Sequence, residues 1–99
     1  MQICKVVGTV VSTNKTEKLS GFKLLIVQPL DLADFKPKGG PLVTVDTVGA
    51  GVDEIVMTVS GSSSRQTVNT DGKPVDNAIV AIIDTVDVSG KRIFDRTKA

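Results

Sequence analysis

The chain has 99 residues, and its 12 basic and 11 acidic side chains leave a net charge of +1, too little for a global pull toward nucleic acid or an anionic membrane. Three phenylalanines are the whole aromatic content and histidine is absent, so histidine-based nucleophile pairs and metal centres are excluded and the core must be aliphatic. One cysteine excludes an internal disulfide and cannot build a thiolate zinc site; it suits a reducing compartment.

The chain opens on Met1-Gln2-Ile3-Cys4-Lys5, without the basic start and apolar run of a signal peptide, and no stretch approaches a membrane span. A cytosolic setting is the expectation, and the glycosylation triplet Asn14-Lys15-Thr16 carries little weight in it. The first strand is predicted over Gln2–Ser12, from its β-branched content. Ser12-Thr13-Asn14-Lys15 and Ser20-Gly21-Phe22-Lys23 both match Ser-x-x-Lys, but neither is followed by the partner motifs that such a nucleophile needs. A second strand is predicted over Lys23–Leu30, and Lys36-Pro37-Lys38-Gly39-Gly40-Pro41 then interrupts any ladder, because proline has no amide to donate.

Two further strands, Leu42–Val48 and Ile55–Ser60, lie within the most informative stretch, Val43 to Arg65. They are joined by Val48-Gly49-Ala50-Gly51 and end in Gly61-Ser62-Ser63-Ser64-Arg65. Small residues in both turns allow close backbone approach, either to a ligand or to another copy of the chain. Gly49-Ala50-Gly51 lacks the third glycine of a dinucleotide fingerprint, since Glu54 holds that position. Asp53-Glu54 is an adjacent pair that suits a solvated loop better than an acid/base pair. Gly61–Val68 is the one good helix candidate, one or two turns long, with a serine placed to cap it and to offer amides to an anion. Thr70-Asp71-Gly72-Lys73-Pro74 is a turn, and the fifth strand is predicted over Ala78–Val88. The basic tail, Lys91 to Lys98, reads as a solvated charge run.

Five short strands with at most one helical turn predict an all-β barrel or sandwich in a single domain, residues 1–99. Several strands carry apolar residues on both faces: Cys4, Val6 and Val10 against Ile3, Val7 and Val11; Leu25 and Val27 against Leu24, Ile26 and Leu30; Ile79 and Ile83 against Val80, Ile82, Val86 and Val88. A small barrel buries one face, so the second predicts covering by neighbouring copies. Asp84 falls on the latter face, where a carboxylate needs a partner, and Arg65 is the candidate, across a subunit boundary; the alternative is a strand end facing water.

The ordered set Lys5-Val6-Val7-Gly8-Thr9-Val10-Val11, Lys23-Leu24-Leu25-Ile26-Val27, Val48-Gly49-Ala50-Gly51, Ser60-Gly61-Ser62-Ser63-Ser64-Arg65-Gln66, Pro74-Val75-Asp76 and Ile82-Ile83-Asp84-Thr85-Val86 resembles the vertex-protein family of bacterial microcompartment shells. That family includes the carboxysome and the ethanolamine- and propanediol-utilisation vertex proteins. The resemblance covers essentially the whole chain and departs at Asp31–Pro41 and after Phe94. It implies a small five-stranded OB-like β-barrel with one short helix, assembling as a cyclic pentamer at the five-fold corners of a cytoplasmic shell, with hexameric shell proteins as neighbours. It implies no catalytic residue, metal or cofactor. Gly49, Ala50 and Gly51, with Gly61, Ser62, Ser63, Ser64 and Arg65, become subunit-contact or near-axis candidates, and Asp84 joins them.

The runner-up is a small OB-like barrel that binds single-stranded nucleic acid or an anion. It needs aromatic platforms over a basic groove, whereas Phe22, Phe35 and Phe94 are isolated in the sequence.

Overall fold

The structure, a computed structural model, describes residues 1–11, 23–61 and 76–98. Seven strands follow one another along the chain: β1 (Gln2–Val10), β2 (Lys23–Pro29), β3 (Leu42–Asp46), β4 (Ile55–Ser60), β5 (Asn77–Ile82), β6 (Thr85–Val88) and β7 (Lys91–Asp95). The first five close a barrel in the order β1-β2-β3-β5-β4, and β6 and β7 form a separate two-stranded sheet. All barrel pairings are antiparallel except β3–β5, which is parallel and is held by two residue pairs, Val45 with Ala78 and Asp46 with Ile79.

The predicted all-β, five-stranded barrel is what the chain forms. Three sequence expectations need correction, the last of them the facing of Val10. The predicted strand Ala78–Val88 is two strands, broken at Ile83-Asp84, where the Ile83 amide still donates to Ile55 O (2.8 Å) while the Asp84 carbonyl accepts from Arg96 (2.8 Å) and so leaves the barrel. The tail read as a solvated charge run instead contains β7, joined to β6 by Ser89-Gly90. Both of those residues take positive φ (52° and 78°), the mirror-image turn whose twist matches a two-residue hairpin. The helix expected over Gly61–Val68 lies, apart from Gly61, outside the described residues.

Two apolar clusters explain the two-faced strands. Inside the barrel, Cys4, Val6, Leu25, Val27, Val56 and Ile79 pack together, and Ala50 from the β3–β4 connection joins them. On the outer face Val45, Val59 and Ala78 are buried with Leu24 and Val80 against them. Strand β1 departs from simple alternation, because its register against β2 shifts between Val6 and Gly8. Val6 therefore opposes inward Val27, while Val10 opposes outward Leu24. Val10 shares the outer face, not the face of Cys4 and Val6 as strict period-two reading expects; a bulge reverses the facing of every residue beyond it.

Candidate assembly surface

The β3–β4 connection is built by two carboxylates. Asp46, buried at the end of β3, accepts from the amides of Val48 (3.0 Å) and Gly49 (3.1 Å) through Oδ1. Its Oδ2 lies 3.8 Å from Lys23 Nζ, which also donates to Ala50 O at 2.8 Å. These bonds reel the chain back across the barrel end so that Ala50, wholly buried, plugs the core. Gly49 takes φ +80°, a conformation for which a side chain would be strained, so its glycine has a backbone reason. Gly51 does not: a Cβ there would meet Glu54 Oε1 at 3.5 Å, an ordinary contact.

Glu54 is more than half of a solvated pair. Its Oε1 accepts from the Gly51 amide (2.7 Å), and its Oε2 accepts from Arg96 Nη2 (2.7 Å). Arg96 Nη1 in turn lies 3.5 Å from Asp84 Oδ1. Asp84 is thus tied to the Val48–Gly51 connection through two intermediaries. It sits at a strand break facing water, its side chain 80% exposed, so the expectation of an in-strand carboxylate on the Val80, Ile82, Val86 and Val88 face is corrected. The pairing with Arg65 lies outside the described residues, as do Ser62, Ser63, Ser64 and Arg65 themselves. Gly61, at φ +64°, donates to Asp76 O at 3.0 Å.

Gly49–Gly51 and Gly61 stand at opposite ends of β4. Gly49–Gly51 precedes β4 and Gly61 follows it, so the six residues of β4 separate them by roughly 20 Å at a strand's rise of about 3.3 Å per residue.

Part of what remains open to a partner is apolar. The outer face divides into two rows. The row Val10, Leu24, Val45, Ala78 and Val59 is linked pair by pair around β1, β2, β3, β5 and β4, and its last three members are buried. The neighbouring row on β1, β2 and β3 is Gly8, Ile26 and Val43, with Val43 53% exposed and Val7 of the β1 bulge 47% exposed. Gly8 keeps that row shallow, since a Cβ on it would touch Ile26 at 3.5 Å.

The sequence assigns Asp46 no role, and it offers Lys23, Glu54 and Arg96 only as part of an incomplete Ser-x-x-Lys match, a solvated pair and a solvated tail. For Asp46 a signal existed: a short acid two and three residues before the amides of a glycine turn is a common local acceptor. For Glu54 and Arg96, 42 residues apart, none did. Phe35 and Phe94 stack on each other, centroids 5.7 Å apart and planes 21° apart, beside Ile55 and Val7. Among the described residues no group of three or more acidic or cysteine side chains is placed to hold a metal ion, and no helix is long and apolar enough to cross a membrane.

Comparison with known proteins supplies the context. Residues 1–84 match the family described as ethanolamine utilisation protein EutN/carboxysome. The chain is 52% identical over 87 residues to the bacterial microcompartment shell vertex protein GrpN of Rhodospirillum rubrum, covering 88% of this chain and 97% of the relative. The solved structure of CcmL from Gloeobacter violaceus superposes with a TM-score of 0.90 at 40% identity, over 98% of this chain and 99% of that one. The pentameric microcompartment shell protein GrpN from Rhodospirillum rubrum superposes with a TM-score of 0.80 at 50% identity, over 89% and 99%.

Proposed function

The chain belongs to the ethanolamine-utilisation EutN/carboxysome family, and from that membership we propose that it is a structural shell vertex protein, a homopentamer that caps the five-fold corners of a bacterial microcompartment in the cytoplasm. The observation that carries this reading is the likeness to a pentameric shell protein in fold, over 89% of this chain and at 50% identity. Exposed Val43 and Val7, beside half-buried Ile26, supply what such a ring requires, an apolar strip that one barrel does not cover for itself. A heterologous contact that closes after five copies makes a ring, and five-fold units give a layer of hexagonal tiles the curvature it needs to close.

By this reading hexameric shell proteins meet the rim of the pentamer, and Gly49, Gly51 and the Gly61–Arg65 stretch are contact or near-axis elements, whereas Ala50, expected among them, is buried in the core of its own barrel. The role is structural, and no reaction is assigned to it. The alternative of a base-binding barrel gains no support from Phe35 and Phe94, whose rings face one another instead of standing over a groove.

The test is the mass of the purified full chain by native mass spectrometry. Five copies are expected and a monomer overturns the reading. Co-expression with a hexameric shell protein tests the partner: closed polyhedral shells are expected with this chain and open sheets or tubes without it.

A further inference from the structure

The barrel's weakest seam carries an unexplained pair of buried polar atoms. Strands β3 and β5 are joined by only two residue pairs, Val45 with Ala78 and Asp46 with Ile79. One residue back along that parallel register, Thr44 comes opposite Asn77. Both side chains face inward: Thr44 opposes Leu25 of the inner cluster, and Asn77 lies two residues before inward Ile79 on the same strand. Thr44 is 1% exposed and Asn77 8%, and among the described residues neither Thr44 Oγ1 nor Asn77 Oδ1 has a hydrogen-bond partner. A buried polar group without a partner is costly, and two together at adjacent register positions is an arrangement that native interiors resolve with a bound donor.

We propose that Thr44 and Asn77 form a binding site for one internal water molecule that bridges β3 and β5. Side chains opposite one another on neighbouring strands are spaced about 5 Å apart at Cβ, near enough for a direct bond, yet Thr44 Oγ1 and Asn77 Oδ1 do not bond each other in the structure, and one bridging molecule would satisfy both. The chemistry selects a neutral ligand that can both give and take a proton. Asn77 Oδ1 only accepts, so it needs a donor, whereas the Thr44 hydroxyl can complete the bridge from either side. An alkali or ammonium cation fits less well, because Asp46, the carboxylate two residues on from Thr44 on β3, already serves the Val48 and Gly49 amides and Lys23. The bridge extends the two-pair seam by one rung, so its role is to hold the barrel closed beside the point where Ser60 pairs with Asn77 and Gly61 bonds Asp76.

The sign of one substitution tests this. Thr44→Val keeps shape and removes the hydroxyl. If the hydroxyl is an orphan, valine raises the urea midpoint of the full chain, measured at fixed protomer concentration; if it holds a bridging water, valine lowers the midpoint and Thr44→Ser retains most of it. A raised or unchanged midpoint in Thr44→Val overturns the proposal. A crystal structure with ordered solvent gives the independent reading. Density for a water within about 3.2 Å of both Thr44 Oγ1 and Asn77 Oδ1 is expected, and a protein atom or no density between them overturns the proposal even if the valine variant fails to fold.

Discussion

The inner and outer faces of the same strands are both apolar, yet they are finished in different ways. Inside, Leu25, Val27, Val56 and Ile79 are closed over by strands of their own barrel and plugged by Ala50, which Asp46 and Lys23 hold in place. Outside, one row from Val10 to Val59 is largely covered, whereas the row through Ile26 and Val43 stops at solvent. The lesson is that apolar content alone does not separate folding from assembly; the separation lies in which row has a cover within one chain.

The largest effect should come from the inner face. Leu25→Ala removes a fully buried side chain from the cluster and should cost about 2–5 kcal/mol, the range of leucine truncations in tight cores. Circular dichroism with urea titration should show the barrel weakened and the pentamer lost with it. Val43→Lys is the outer counterpart. The residue is more than half exposed in the protomer, so the fold should change by no more than about 0.5 kcal/mol, while sedimentation should show rings replaced by smaller species. If Val43→Lys unfolds the barrel, or leaves the pentamer intact, the two-row distinction fails.

A smaller effect tests how the plug is held. Asp46→Ala leaves the Val48 and Gly49 amides without their acceptor and Lys23 without its partner. A loss of about 1–3 kcal/mol is expected for donors stranded near a core. Amide exchange should accelerate first at Val48 to Gly51, and uniform acceleration through β1 and β2 would show instead that the connection is no separate unit.

Much of this was legible in the residues. The β-branched runs marked β1 to β4 closely, because strands in a small barrel have little freedom to end anywhere but at their glycines and prolines. The double-faced pattern pointed to a second cover, and over Val45, Val59 and Ala78 that cover lies within the chain itself. What failed did so for physical reasons. The bulge after Val6 turned Val10 outward, and nothing in a run of valines announces a register shift. The break at Ile83-Asp84 depends on Arg96 bonding the Asp84 carbonyl, a contact between distant chain segments. Ser89-Gly90 was a readable turn signal, and a continuous β-branched run obscured it. Glu54 shows the general limit: its value comes from touching Gly51 and Arg96 at once, and only the fold brings those two together.

The hairpin outside the barrel gives the smallest predicted effect and the cleanest contrast with the buried Asp46. Asp87 accepts from Arg92 Nε at 2.9 Å across the β6–β7 pairing. That hydrogen bond first, and the guanidinium charge beside it, hold its carboxyl below the usual carboxylate range. A carboxylate with a lowered pKa in the folded state contributes stability that is present above its unfolded pKa and lost as pH falls through the folded one. The contribution is therefore complete at neutral pH and fades only in acid, below about pH 4. Because both side chains are half in water, screening keeps it small. In a carboxyl NMR titration Asp87 should titrate below an ordinary aspartate, and Arg92→Gln should move it back upward. Acid should loosen the hairpin amides while those of β1 and β2 stay protected. Equal loosening of both would mean that the hairpin is part of the barrel's cooperative unit, and the outer elements would then be no more separable from the core than Ala50 is.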